Sequence, residues 1–261
     1  MSLPAYFELG TGPTAVLLLH GVGGGRSIWA DAASGTASAI ANAGFRALAM
    51  DFPGYGDSQG EPTLGAMAQA VLDLAAHARA ERVVLLGHSM GGMVAQEVAY
   101  RAPHVAQGLI LACTSAAFGK PGGDWQAEFL KQRLAPLDAG LGMAGMADQL
   151  VPGLVSPTAP PAAREAARRV MAAVPEATYR VALKSIAGFD RRESLAALRV
   201  PTLMLAAEHD RTAPPDVMQR MAAKVNGAEY VCLPDAGHIA NVEAPAAFNG
   251  AVVSFLQRHF S

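Results

Sequence analysis

Cysteine is nearly absent: Cys113 and Cys232 are the only two in 261 residues. Both fall in apolar runs, so no disulfide framework is expected and small buried hydrophobes are their ordinary role, in a reducing compartment. Lysine is scarce as well, with 4 in the chain, and arginine supplies most of the cations without forming a run. A net charge of −2 and a pI near 6.4 provide no basic footprint for nucleic acid. Apolar residues make up 51% of the chain, yet the longest apolar runs are strand-length, well short of the ~20 residues that cross a bilayer. The segment Met1–Tyr6 has no charged stretch ahead of an apolar core, so no secretory signal is expected. Nor does any His-x-x-His or Cys-x-x-Cys pair offer metal-ligand spacing, and no metal or organic cofactor is expected. A cytoplasmic, enzyme-sized domain, monomer or homodimer, without a nucleic-acid or membrane partner, fits what remains.

What is present is a recurring short apolar run. Ala15–Leu19, Phe45–Met50, Val83–Leu86, Gly108–Ala112, Thr202–Ala206 and Glu229–Leu233 each have strand length and are bounded by glycine or acid. Runs apolar on both faces suit a parallel sheet covered by helices. Between and after them, Leu64, Met67, Ala68, Val71, Leu72 and Ala75, and then Phe248, Val252, Phe255 and Leu256, recur at helical spacing. The expectation is a doubly wound α/β sheet. Between about Phe118 and Leu198 no strand pattern occurs. Helical pieces open at Asp124–Trp125, at Pro160–Pro161 and after Pro175, and the Pro/Ala-rich stretch Val151–Ala163 reads as a connection. This divides the chain into a core, 1–117 and 199–261, and an inserted helical lid, 118–198.

The run Arg82–Leu86 leads into Gly87-His88-Ser89-Met90-Gly91, which leads into a helical stretch from Gly92 to Tyr100. Gly-x-Ser-x-Gly between a strand and a helix makes a sharp elbow that lifts the serine hydroxyl above the sheet. Gly87 and Gly91 stand where side chains would collide. A serine hydroxyl is a weak nucleophile at neutral pH, so it needs an imidazole base and an acid to orient that base. On a sheet carrying this elbow the partners follow in the order serine, acid, histidine. Asp210, just past the strand Thr202–Ala206, is the candidate acid, with Glu208 and Asp51 as alternatives. His238, in Gly237-His238 after the last strand, is the candidate base; of the other six histidines, His209 is the alternative.

An acyl-transfer site also needs donors for the oxyanion. The backbone N–H of Met90, at the start of the elbow helix, is one candidate. Val22 N–H, in the loop His20-Gly21-Val22-Gly23-Gly24-Gly25, is the other. A dinucleotide fingerprint would put a third glycine at position 26, which is Arg26, and is rejected.

His20-Gly21, Asp51-Phe52-Pro53-Gly54-Tyr55-Gly56-Asp57-Ser58, Gly87-His88-Ser89-Met90-Gly91-Gly92, the acid loop and the Gly-His loop together resemble the α/β-hydrolase superfamily over essentially the whole chain. The resemblance implies a mostly parallel eight-stranded sheet flanked by helices, with an inserted helical lid. It also implies a Ser89–His238–Asp210 triad, with an oxyanion hole at Val22 and Met90. Serine at the elbow argues against haloalkane dehalogenases and epoxide hydrolases, which place aspartate there. The stretch His238–Asn249 is similar to that of 3-oxoadipate enol-lactonases, which implies hydrolysis of an unsaturated lactone bearing a carboxylate, in aromatic catabolism. It also resembles C–C hydrolases of aromatic meta-cleavage products and carboxylesterases.

The expected substrate is therefore a small ester or lactone, with C–C cleavage the alternative and a slow-turnover ligand receptor a third reading. Trp125, Phe129 and Trp29 are candidates for an apolar wall over Ser89. Arg133, Arg191 and Arg192 are candidates for holding a substrate carboxylate through a bidentate pair.

Overall fold

The computed structural model describes residues 3–30, 35–119 and 124–261, with the backbone alone at Trp125. Strands β1 (Tyr6–Leu9), β2 (Thr14–Leu19), β3 (Arg46–Met50), β4 (Arg82–His88), β5 (Gly108–Ala112), β6 (Thr202–Ala207) and β7 (Glu229–Leu233) form one sheet in the order β1-β3-β2-β4-β5-β6-β7. Only β1 runs antiparallel, against β3; every other pairing is parallel. The six apolar runs of the sequence are β2 to β7.

Among the described residues the sheet has seven strands rather than the expected eight. The described residues ahead of β2 make a single strand, Tyr6–Leu9, and then turn at Gly10, whose φ of 85 favours glycine. That strand is half exposed at the sheet edge and carries Glu8 among its four residues, so it lacks the continuous apolar signature of a buried strand.

The central strands are buried on both faces because their side chains alternate between two cores. Leu17, Leu19, Leu85 and Met204 point to one, where they meet α2 (Leu64–Ala78), α3 (Met90–Arg101) and α8 (Pro215–Ala222). Val16, Leu18, Leu86 and Leu205 point to the other, against α1 (Thr36–Asn42) and α10 (Pro245–Phe260). Helix α2 starts at Thr63, whose hydroxyl accepts the Ala66 N–H at 3.2 Å. Phe248, Val252, Phe255 and Leu256 on α10 are fully buried, and each contributes of order 1.5–3 kcal/mol of transfer free energy. No described helix is long and apolar enough to cross a membrane.

Helices α4 (Trp125–Asp138), α5 (Gly142–Leu154), α6 (Pro161–Ala172) and α7 (Glu176–Ile186) lie between β5 and β6 in the chain. The connecting segments pair with each other where they leave the sheet. Phe118 N–H donates to Phe189 O at 2.9 Å and Arg191 N–H to Ala116 O at 2.7 Å. Helix starts fall after Asp124, Pro160 and Pro175, as the sequence indicates. Helix α5, however, extends to Leu154 with Pro152 inside its last turn, so only residues 155–160 of the Pro/Ala-rich stretch form a connection.

Candidate active site

Ser89 stands between β4 and α3 with φ 53 and ψ −117, a conformation that side chains rarely adopt. Holding it there costs of order 1–3 kcal/mol. The cost is met by tight backbone packing. A Cβ at Gly87 would lie 2.3 Å from Gly91 O, and one at Gly91 would lie 2.1 Å from Leu19 O. Ser89 N–H donates to Ala112 O at 2.9 Å, and the Thr114 hydroxyl donates to Ser89 O at 2.7 Å.

The hydroxyl meets His238 Nε2 at 3.0 Å, and His238 Nδ1 meets Asp210 Oδ2 at 2.8 Å. The other carboxylate oxygen of Asp210 accepts the N–H groups of Thr212 at 2.7 Å and Ala213 at 2.9 Å. Burial works to raise the Asp210 pKa, but the charge and hydrogen bond of His238, with the two backbone donors, outweigh it and hold the carboxyl below its ordinary value. An ionised Asp210 can only accept, so Nδ1 of His238 carries a proton, and in the neutral ring Nε2 is the nitrogen left to accept from the serine hydroxyl.

The loop bearing His238 is fixed from three sides. His238 N–H donates to Leu154 O at 2.7 Å, and His88 Nε2–H donates to His238 O at 2.7 Å. Burial, aided by the charge of His238, lowers the His88 pKa to about 4, so this ring is neutral. The buried carboxylate of Glu243 accepts N–H groups from Gly237 at 2.9 Å, Ile239 at 2.9 Å and Ser156 at 2.7 Å. Sequence reasoning assigned no role to Glu243. Its partners are backbone groups, one of them 87 positions away, and no side-chain pattern announces such a contact.

The glycine loop after β2 is held with similar economy. His20 Nε2 accepts Phe52 N–H at 3.2 Å, which leaves the proton on Nδ1, and Nδ1–H donates to Gly21 O at 2.8 Å. Burial lowers the His20 pKa to about 4, matching this neutral form. Gly21 O also receives Gly24 N–H at 3.0 Å, and Val22 O receives the Tyr55 hydroxyl at 3.0 Å. In a planar trans peptide the N–H opposes the C=O, so anchoring Gly21 O sets the direction of Val22 N–H. Val22 lines the same cavity as Ser89. Met90 N–H, in the first turn of α3, has no acceptor within its own helix.

The alternatives to Asp210 and His238 lie elsewhere. Asp51 accepts Arg26 N–H at 2.7 Å and pairs with its guanidinium at 2.7 Å. Glu208 accepts Asp235 N–H at 3.0 Å, and His209 is exposed beside Asp235.

A cavity of about 690 Å³ opens above Ser89 and His238, walled by the sheet end and by α4 to α8. Phe129, Arg133 and Arg192 line it. Two expectations are corrected. Trp29 is fully buried against Phe248, with ring centroids 6.5 Å apart, in the core that α1 and α10 cover. Arg191 is engaged elsewhere, pairing with buried Glu97 at 2.8 Å and stacking on Tyr100 at 4.2 Å. Trp125 opens α4, and its side chain lies outside the described residues.

A family model described as "Alpha/beta hydrolase family" matches residues 16–251. The chain is 31% identical over 271 residues to a putative carbamate hydrolase RutD of Variovorax paradoxus, covering 98% of this chain and 97% of the relative. Among solved structures, a thermophilic esterase from Thermogutta terrifontis superposes with a TM-score of 0.85 at 30% identity, over 97% of this chain and 93% of that one. The enol-lactonase from Burkholderia xenovorans LB400 superposes with a TM-score of 0.84 at 28% identity, over 97% and 96%.

Proposed function

The chain belongs to the alpha/beta hydrolase family, and on that footing we propose that it cleaves a carboxylic ester or lactone through an acyl-serine intermediate. The observation that carries this reading is the continuous hydrogen-bond chain from Ser89 Oγ through His238 to Asp210, at 3.0 and 2.8 Å. Ser89 is the nucleophile; His238 Nε2 takes its proton as Oγ attacks the carbonyl. Asp210 holds the ring in the required tautomer and stabilises the imidazolium. The developing oxyanion takes hydrogen bonds from Val22 and Met90 N–H, each worth of order 3–4 kcal/mol in sites of this kind. His238 then returns its proton to the leaving oxygen. Water, deprotonated by the same nitrogen, releases the acid and restores Ser89.

Helices α4 to α7 act as the lid of this site, and their side of the cavity selects the substrate. A lactone is the sharper version of the substrate, in which the leaving oxygen stays tethered to the acyl group until water attacks. The similarity of His238–Asn249 to enol-lactonases and the 28% identity to the Burkholderia enzyme support it. Aromatic catabolism would be its setting, and the free thiols Cys113 and Cys232 suit a reducing, cytoplasmic one.

The test is the steady-state rate on a short p-nitrophenyl ester, an enol-lactone acid and a ring-cleavage dienone, each with the Ser89→Ala variant as control. Turnover of ester or lactone that disappears in the variant supports the reading. Turnover of the dienone alone assigns C–C cleavage, and undiminished turnover by the variant removes Ser89 as nucleophile.

A further inference from the structure

The wall of the cavity departs from the composition of the chain. Overall, 20 Lys and Arg stand against 22 Asp and Glu. Among the described residues lining the cavity, the cations are Arg133, Arg192, Arg211, Arg220 and Lys224, and no aspartate or glutamate is present. A surface drawn evenly from this sequence would mix the signs.

Three of these cations come from one short stretch beyond Asp210. Val217, Arg220, Met221 and Lys224 follow the spacing i, i+3, i+4, i+7, so α8 and the turn after it turn a single face to the cavity. The face alternates apolar and cationic groups: Met221 is buried and Val217 half-buried, while Arg220 and Lys224 are exposed. Arg211 lies in the β6–α8 loop, whose next two N–H groups are tied to Asp210. Arg220 pairs with Asp216 at 2.6 Å, and Arg192 pairs with Asp190, both acids standing outside the wall. Arg211 and Lys224 have no ion-pair partner among the described residues. Arg211 and Lys224 therefore bring uncompensated like charges to the wall of the cavity, with Arg220 beside them, and an anionic ligand turns their repulsion into attraction.

We propose that Arg211, Arg220 and Lys224 bind the anionic end, a carboxylate or a phosphate monoester, of an amphiphilic small molecule whose apolar stem runs along Val217 and Met221 toward Ser89. This rests on the reading of Ser89 as the nucleophile of an ester hydrolase, and it adds the residues that hold the anionic end of the substrate, on α8 and the loop before it rather than on the inserted helices. Guanidinium groups present paired donors to either oxyanion, and the lysine adds a point charge.

The experiment measures equilibrium binding by calorimetry to the Ser89→Ala protein, which needs no turnover. The ligands are monomethyl adipate, methyl hexanoate as its neutral counterpart, and the methyl ester of 6-phosphooxyhexanoic acid. The charged ligands are expected to bind about tenfold more tightly than the neutral one at low salt, with the advantage shrinking as salt rises to about 0.5 M because the cations are exposed. In the Arg220→Gln/Lys224→Gln background the advantage should fall by about fivefold or more. Whichever anion binds more tightly identifies the headgroup as carboxylate or phosphate. Equal binding of charged and neutral ligands, or an advantage untouched by the double substitution, overturns the proposal. Wild-type turnover of p-nitrophenyl hexanoate and mono-p-nitrophenyl adipate runs alongside. Failure of both esters to react counts against the hydrolase reading, while calorimetry still decides the anion site.

Discussion

Glu243 reaches across 87 positions to accept the backbone N–H of Ser156 at 2.7 Å. The same carboxylate accepts the N–H groups of Gly237 and Ile239, the residues on either side of His238. One buried side chain therefore ties the connection between α5 and α6 to the loop that carries the imidazole. Gly237 is needed there because a Cβ would lie 2.5 Å from Ser156 N. The α5–α6 end of the inserted helices is thus fastened to the site, and Leu154 O adds a second fastening through His238 N–H.

Glu243→Gln should disturb the position of His238. The amide presents an NH2 group where the carboxylate accepted backbone donors, so at least one buried N–H loses its partner, at about 1–3 kcal/mol. Urea unfolding is expected to show that loss, and fluorophosphonate labelling of Ser89 should slow by about tenfold or more, as a small displacement of the base allows. Glu243→Asp, which keeps the charge, should recover part of the labelling rate. Unchanged labelling in the Gln variant would separate Glu243 from the site.

Ser89→Ala should abolish labelling and turnover while the protein stays folded. Ser89→Gly should be more stable than Ser89→Ala, because at φ 53 and ψ −117 alanine keeps the strain and glycine relieves it. The expected gap is roughly 1 kcal/mol by denaturant titration, and its absence would mean that the elbow relaxes on losing the hydroxyl.

Stability should fall as pH drops from about 6.5 toward 4. In the folded protein His20 and His88 bind protons only near pH 4 because burial opposes their charging, whereas in the unfolded chain they bind near ~6.5. The unfolded state then holds more protons across this window, so unfolding free energy rises with pH through it, by about 3 kcal/mol for each ring at most. Asp210 adds a loss at lower pH: its depressed pKa contributes stability present above the ordinary carboxylate value and lost as pH falls through the folded one. Thermal melts between pH 7 and pH 4 check this, and His88→Gln should flatten the profile. An unflattened slope would place the titration elsewhere.

Gly91→Ala and Gly250→Ala should move stability in opposite directions. At Gly91 the new methyl would sit 2.1 Å from Leu19 O, backbone that cannot withdraw, so the protein should lose several kcal/mol, more than ~3, or fail to fold. At Gly250, inside α10, nothing lies within 4 Å, and alanine should stabilise the helix by about 0.5–1 kcal/mol. Melting temperatures of the two variants check the contrast.

What the sequence determined by itself was local or periodic. Gly87-x-Ser89-x-Gly91 announces the elbow because five consecutive residues carry all its steric demands. Phe248, Val252, Phe255 and Leu256 announce α10 because a helix repeats its buried face every three to four residues. That Asp210 and His238 lie at one edge of the sheet was legible because each sits in the loop that follows a strand, where a parallel sheet gathers its loops. Tertiary structure decided whatever depends on partners distant in the chain. The tautomer of His88 is set by a carbonyl 150 positions away, and Arg191 is drawn from the cavity by Glu97 on the elbow helix. Trp29 joins the core through Phe248 rather than facing substrate. A polar or aromatic side chain has several chemically adequate partners, and its own neighbours in sequence do not say which the fold will bring within reach.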